Sequence, residues 1–167
     1  MYPLILLYGG KVKSQGSIEL KNKNLYRIDI IRDGKKTGEQ LVFNLADVDL
    51  TLKYVEAYEK IDKIENNIKM QEVIINKRQD VPGKYISKNT KDLHMLYSKS
   101  FKEMREAMDK FLGKGGCQKV FGDTNYIGMY DDLFEALKPE LDKMNIKMES
   151  FTNRIISKYS MEKDNVI

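Results

Sequence analysis

Tyr26-Arg27-Ile28-Asp29-Ile30, then Arg32-Asp33-Gly34-Lys35-Lys36-Thr37-Gly38-Glu39, then Leu41-Val42-Phe43 form the stretch whose reading decides the fold. Strict alternation puts Tyr26, Ile28 and Ile30 on one face of a half-buried strand. Asp33-Gly34, with a second glycine four residues on, is turn chemistry. Leu41-Val42-Phe43 supplies the returning strand, so the residues predict a β-hairpin from about Leu25 to Asn44. A lone hairpin is marginal in water. It needs a third strand from the N-terminus, where Leu4-Ile5-Leu6-Leu7-Tyr8 is apolar, a helical backing, or a neighbouring subunit. Ile18 to Leu20 is a further short strand candidate.

From Asp47 the apolar period changes from two to that of a helix. Leu50, Tyr54, Ala57, Tyr58, Ile61, Ile64, Ile68 and Ile75 share one stripe, predicting an amphipathic helix over about 47–76. Asp47 and Asp49 stand where carboxylates favour a helix start. Gln79 to Asn89, with Pro82-Gly83, reads as a loop. Thr90 followed by Asp92 then opens a helix to Leu112, with Leu93, Tyr97, Phe101, Met104, Met108 and Phe111 or Leu112 on its apolar face. Gly113-Lys114-Gly115-Gly116 ends it as a C-cap and tight turn. A short helix, Cys117 to Phe121, closes at Gly122, and Asp123 or Thr124 is placed to cap the next one. The last helix carries Tyr126, Tyr130, Leu133, Leu137, Leu141, Met144, Met148, Phe151, Ile155 and Tyr159 at helical spacing. Pro139 predicts a kink or break near Leu137. The expected fold is α+β and predominantly α: a hairpin or small antiparallel sheet, three long helices and one short one. Residues 1–45 form the β-rich segment, 46–161 the helical domain and 162–167 a disordered tail.

The chain has 167 residues, 41% hydrophobic and 32% charged, with 29 basic and 25 acidic side chains and a net charge of +4. That is one domain with enough material for a core, which needs neither disulfide nor metal. A single cysteine and a single histidine exclude an internal disulfide and the usual His-based zinc sites. The apolar start is too short for a signal peptide or membrane span, which predicts an intracellular protein. Charge runs in blocks: residues 1–38 carry net +5, 39–76 net −4, 77–124 net +5 and 125–167 net −2.

Catalytic readings fail on spacing. The glycine run follows a helix and lacks the P-loop pattern. Glu19-Leu20-Lys21 has the Glu-x-Lys spacing of a nuclease core, but no acidic residue precedes it to share the metal. Cys117 and His94 have no third member. No catalytic, metal or cofactor residue is assigned, and the expectation is a protein that is not an enzyme. Nucleic-acid contact is the rival binding class. Between Lys77 and Lys102 stand seven basic and two acidic residues, with Lys84, Lys88 and Lys91 as the candidate contacts. Lysine, 24 of the 29 basic residues, dominates the set, and arginine is the usual reader of guanine edges.

Phe43-Asn44-Leu45-Ala46-Asp47-Val48-Asp49 and Tyr54-Val55-Glu56-Ala57-Tyr58-Glu59-Lys60 resemble the opening of a small phage-encoded family from Firmicutes phages and prophages. Phe111-Leu112-Gly113-Lys114-Gly115, Lys119-Val120-Phe121-Gly122, Asn125 and Tyr130-Asp131-Asp132-Leu133-Phe134-Glu135-Ala136-Leu137 resemble its later signature. The resemblance covers about residues 43–145. That family's genes lie among tail-morphogenesis genes, near those for tail tube and tape measure. The resemblance implies a tail assembly chaperone, binding a tape-measure or tail-tube protein in the bacterial cytoplasm, or a structural component of the tail or neck built by oligomerisation. The adaptable methionine and aromatic faces then nominate Met104, Met108, Phe111, Tyr130 and Phe134 as partner-binding residues. A nucleic-acid-binding regulator is the third class.

Overall fold

The structure is a computed structural model that describes residues 14–163, and side chains up to Asn145 together with Asn153. Two strands, β1 (Leu25–Arg32) and β2 (Lys35–Asn44), are followed by α1 (Leu50–Lys77), α2 (Lys88–Leu112), α3 (Gly116–Phe121) and α4 (Met129–Lys163). This is the α+β, mostly helical fold expected from the period change at Asp47. The predicted strand at residues 4–8 lies outside the described residues; of the tail predicted over 162–167, residues 162 and 163 end α4 and the rest lie outside the described residues. Ile18 to Leu20 forms no strand, and both Ile18 and Leu20 are exposed.

The hairpin is antiparallel with Leu25 opposite Asn44 and Arg32 opposite Lys35. Asp33 and Gly34 both take positive φ, 51° and 74°, the turn that matches the twist of two short strands. Register shifts between Asp29 and Ile31. There Gly38 turns at φ +81°, and the Thr37 hydroxyl donates to the Ile30 carbonyl at 3.0 Å, so a side chain replaces the interrupted backbone pairing. Of the three supports open to the hairpin, the structure shows helical backing. Phe43 is buried, with its ring 5.1 Å from that of Phe111 on α2. Arg32 reaches α3, donating from Nη2 to the Lys119 carbonyl at 2.6 Å and from Nε to the Val120 carbonyl at 3.1 Å. The Tyr26 hydroxyl donates to the Glu140 carboxylate on α4.

Helix starts differ from expectation in their caps. Asp49 flanks α1 but its side chain makes no cap bond; Asp47 serves instead, accepting the Asp49 N–H at 2.9 Å and the Lys53 ammonium at 2.6 Å. At α2 the cap is Ser87, whose hydroxyl accepts the Thr90 N–H, so the helix begins before Thr90. Asp123 and Thr124 cap nothing. Asp123 accepts from the Gln118 amide at 2.7 Å, and α4 starts at Met129 after a turn at Gly128, φ +86°. Tyr126 therefore sits before the helix, its hydroxyl donating to Asp132 at 2.9 Å. Pro139 does not break α4, which runs through 35 residues. Pro139 and Glu135 are both exposed, a setting in which water can satisfy the carbonyl that loses its helical donor.

Four predicted partner residues are part of the core. Met104, Met108, Phe111 and Tyr130 are buried within one cluster that also holds Phe43, Ile61, Leu112 and Met129. Met108 has no exposed surface at all. The helical period that identified them marks the face a helix buries, and here α1, the hairpin and α4 bury it. Phe134 is partly buried, its ring 5.0 Å from Tyr58 and 6.2 Å from Tyr54.

Candidate functional site

The junction after α2 is where the glycine run acts. Gly113 ends α2 at φ +92° and Gly115 turns at +71°, as a C-cap and tight turn require. Asp109 holds the next helix: Oδ1 accepts the Cys117 N–H at 2.8 Å and Oδ2 the Gly115 N–H at 3.3 Å. These are free donors at a helix start, where a carboxylate also meets the positive end of the helix dipole. Arg105, one turn earlier, donates to the carbonyls of Gly122 and Thr124 at 3.0 and 2.9 Å and to the Asn125 side chain at 2.7 Å. The signature Lys119-Val120-Phe121-Gly122 is thus a structural knot joining α2, α3 and the hairpin. Cys117 is buried in it, and desolvation, with Asp109 nearby, pushes its thiol up to about 12. A thiol held protonated is a poor nucleophile.

Beside this knot lies a groove of about 220 Å³ between α1, α2 and the start of α4. Glu65, Lys69 and Glu72 come from successive turns of α1, and Tyr97, Phe101 and Met104 from successive turns of α2. Ile127, Gly128, Tyr130 and Asp131 complete it. Two of the predicted partner residues, Met104 and Tyr130, are its floor. The Tyr97 hydroxyl donates to Glu72. Glu65 is held above the ordinary carboxylate range, chiefly by burial and then by the charge of Asp131, against which Lys69 acts in the other direction. Ile127, 79% exposed, stands at the rim. Such a groove takes an apolar side chain against Phe101, Met104 and Tyr130, and a cation beside Glu65 and Asp131. Glu65, Glu72 and Ile127 were missed in the sequence because they are separated by up to 62 positions and belong to no single motif.

A second groove, about 160 Å³, is lined by Leu50, Tyr54, Val55, Phe111, Leu141 and Met144. Phe111 is therefore also a groove wall, whereas Met108 reaches neither groove. The three lysines proposed for nucleic acid are exposed. Lys88 is committed to Asp92 at 3.1 Å, which Arg78 also pairs at 2.8 Å, and Lys84 lies over the Tyr85 ring at 5.1 Å. Among the described residues no cluster of His, Cys, Asp and Glu is arranged to hold a metal ion, and no helix is long and apolar enough to cross a membrane.

No curated protein and no solved structure matches the chain. A family model does match, over residues 37–165, which spans most of β2 and all four helices together with both grooves. The chain belongs to that family, a family of unknown function (DUF6673).

Proposed function

We propose that the protein is a non-enzymatic tail protein of a phage or prophage, acting as an assembly chaperone for a tape-measure or tail-tube protein. The observation that carries this reading is the 220 Å³ groove, with an apolar floor and a predominantly acidic rim. Its size suits one or two side chains of an amphipathic helix, an apolar one on Met104 and Tyr130 and a Lys or Arg beside Glu65 and Asp131. A long tape-measure helix presents such side chains until tube subunits cover them. Co-expression with the neighbouring tape-measure protein should raise that protein's solubility and yield a co-purifying complex, weakened by Ile127→Asp and Asp131→Lys, both at exposed positions of the groove. Unchanged solubility with no co-purification would sink the reading.

A structural role in the tail or neck is the second reading. It is favoured by the hairpin, which is a two-stranded sheet among the described residues and carries the exposed Ile31 and Val42, since a sheet edge can accept a further strand. Detection at fixed stoichiometry in purified particles would select it over a transient chaperone.

A further inference from the structure

Helix α1 is apolar on two faces. The face carrying Ala57, Ile61, Ile64 and Ile75 is buried in the core. On the other side Leu52, Val55, Met70 and Val73 are 54%, 40%, 62% and 52% exposed. Leu52, Val55, Glu59, Asp62, Asn66, Met70, Val73 and Lys77 follow one another in steps of three or four residues, and every one of them is exposed. They form one continuous ridge along the helix. Ile74 and Tyr58, also exposed, flank it. Two apolar patches therefore stand at opposite ends of the ridge with polar residues between them.

The spacing is symmetric about the Asp62–Lys63 peptide. Reversing a second copy of the helix about that point sets Leu52 opposite Val73 of the second copy, Val55 opposite Met70, Glu59 opposite Asn66 and Asp62 opposite Lys63. Val48, exposed in the turn before the helix, falls opposite Lys77. The exposed charges obey the same reversal. Glu56, Glu59 and Asp62, against one exposed cation, Lys60, lie in the first half of α1, and Lys63, Lys69 and Lys77 in the second; the reversal sets Glu56 opposite Lys69 and Lys60 opposite Glu65. Antiparallel overlay puts the acidic half on the basic half, whereas parallel overlay stacks like on like. A two-fold interface needs one surface that complements itself in this way.

We infer that α1 pairs antiparallel with α1 of a second copy of this chain, forming a two-fold dimer centred on Asp62 and Lys63. The apolar ends of the ridge supply the attraction, and the charged middle sets direction and register. Of the groove-lining residues on α1, Val55 belongs to the ridge and Lys69 lies beside it, whereas Leu50, Tyr54, Ile68 and Glu72 do not.

Sedimentation velocity of the full chain should show a dimer, which Leu52→Asp or Val73→Asp converts to monomer. Both residues are exposed, so circular dichroism and the unfolding transition of the monomeric variants should remain cooperative and helical. Direction is read by cysteine pairing under oxidation. A mixture of Val55→Cys and Met70→Cys chains should form a disulfide between the two variants, while neither variant alone should do so, and the buried Cys117 stays silent. A wild-type monomer at the highest concentration reached, a dimer untouched by both aspartates, or a Val55→Cys homodisulfide would each overturn the proposal. None of these outcomes depends on whether a tape-measure protein binds.

Discussion

The Asp109 carboxylate, on the last full turns of α2, accepts the backbone N–H of Cys117 at 2.8 Å across the glycine turn. One side chain thereby sets where α3 begins and how it leans on α2, because the six-residue α3 has too few internal bonds to hold itself.

Removing that acceptor should loosen the knot. Asp109→Ala leaves the Cys117 and Gly115 donors without a protein partner, a loss of about 1–2 kcal/mol by analogy with other lost helix caps. It should also open the thiol. Native Cys117, buried and titrating at about 12, should resist a thiol reagent at neutral pH, and the variant should react several-fold faster. Equal labelling rates would show that the carboxylate does not set the position of α3.

Arg32 and the α3 carbonyls make the parallel test from the hairpin side. Arg32→Ala removes two bonds to Lys119 and Val120, for a loss of about 1–3 kcal/mol given the charged donor. Arg32→Lys should rescue little, since a single ammonium does not reproduce the guanidinium fork. Hydrogen exchange should rise in β1 and α3 together while α1 keeps its protection.

Met108→Ala should destabilise the chain by about 2–5 kcal/mol, the range for truncating a fully buried large side chain, measured by denaturant unfolding. Phe134→Ala, at a partly buried position, should lose less. The order distinguishes core from surface among residues that one helical period grouped together.

Glu65 predicts a pH effect of definite sign. Burial and Asp131 raise its pKa in the folded chain, so the folded state holds that proton more tightly than the unfolded one. Stability from this group accordingly falls as pH rises from the ordinary glutamate value through the raised one, and the penalty is complete above the raised value. Glu65→Gln should raise the melting temperature at pH 7, with a gain that shrinks towards about pH 4, near the ordinary glutamate value. The lowered carboxyls of Asp47 and Asp92 act oppositely, losing stability as pH falls, but they are common to both proteins and cancel in the difference. A gain independent of pH would refute the assignment.

Short-range chemistry was legible residue by residue. Alternation at Tyr26, Ile28 and Ile30, positive-φ chemistry at Asp33-Gly34 and the stripe through Ile61 and Ile64 each depend on neighbours a few positions apart, and each predicts its element closely. The same locality explains the errors. Pro139 carries a signal to break a helix, yet whether the freed carbonyl meets water depends on which way Glu135 faces. Met104, Met108, Phe111 and Tyr130 carry the signal of an apolar face, yet a face does not say what covers it.

The α1 ridge shows the limit most plainly. Leu52, Val55, Met70 and Val73 keep helical spacing in the sequence, but beside the stronger stripe of Leu50, Ile61 and Ile64 they read as scatter. Only packing distinguishes the two faces, because the core stripe is consumed by α2 and α4 while the ridge is left outside. By itself the sequence determined the order and kind of the elements, since backbone preference and apolar period act within a few residues. The tertiary structure alone decided the Asp109 knot, the groove under Glu65 and the open face of α1, because each depends on which distant surfaces meet.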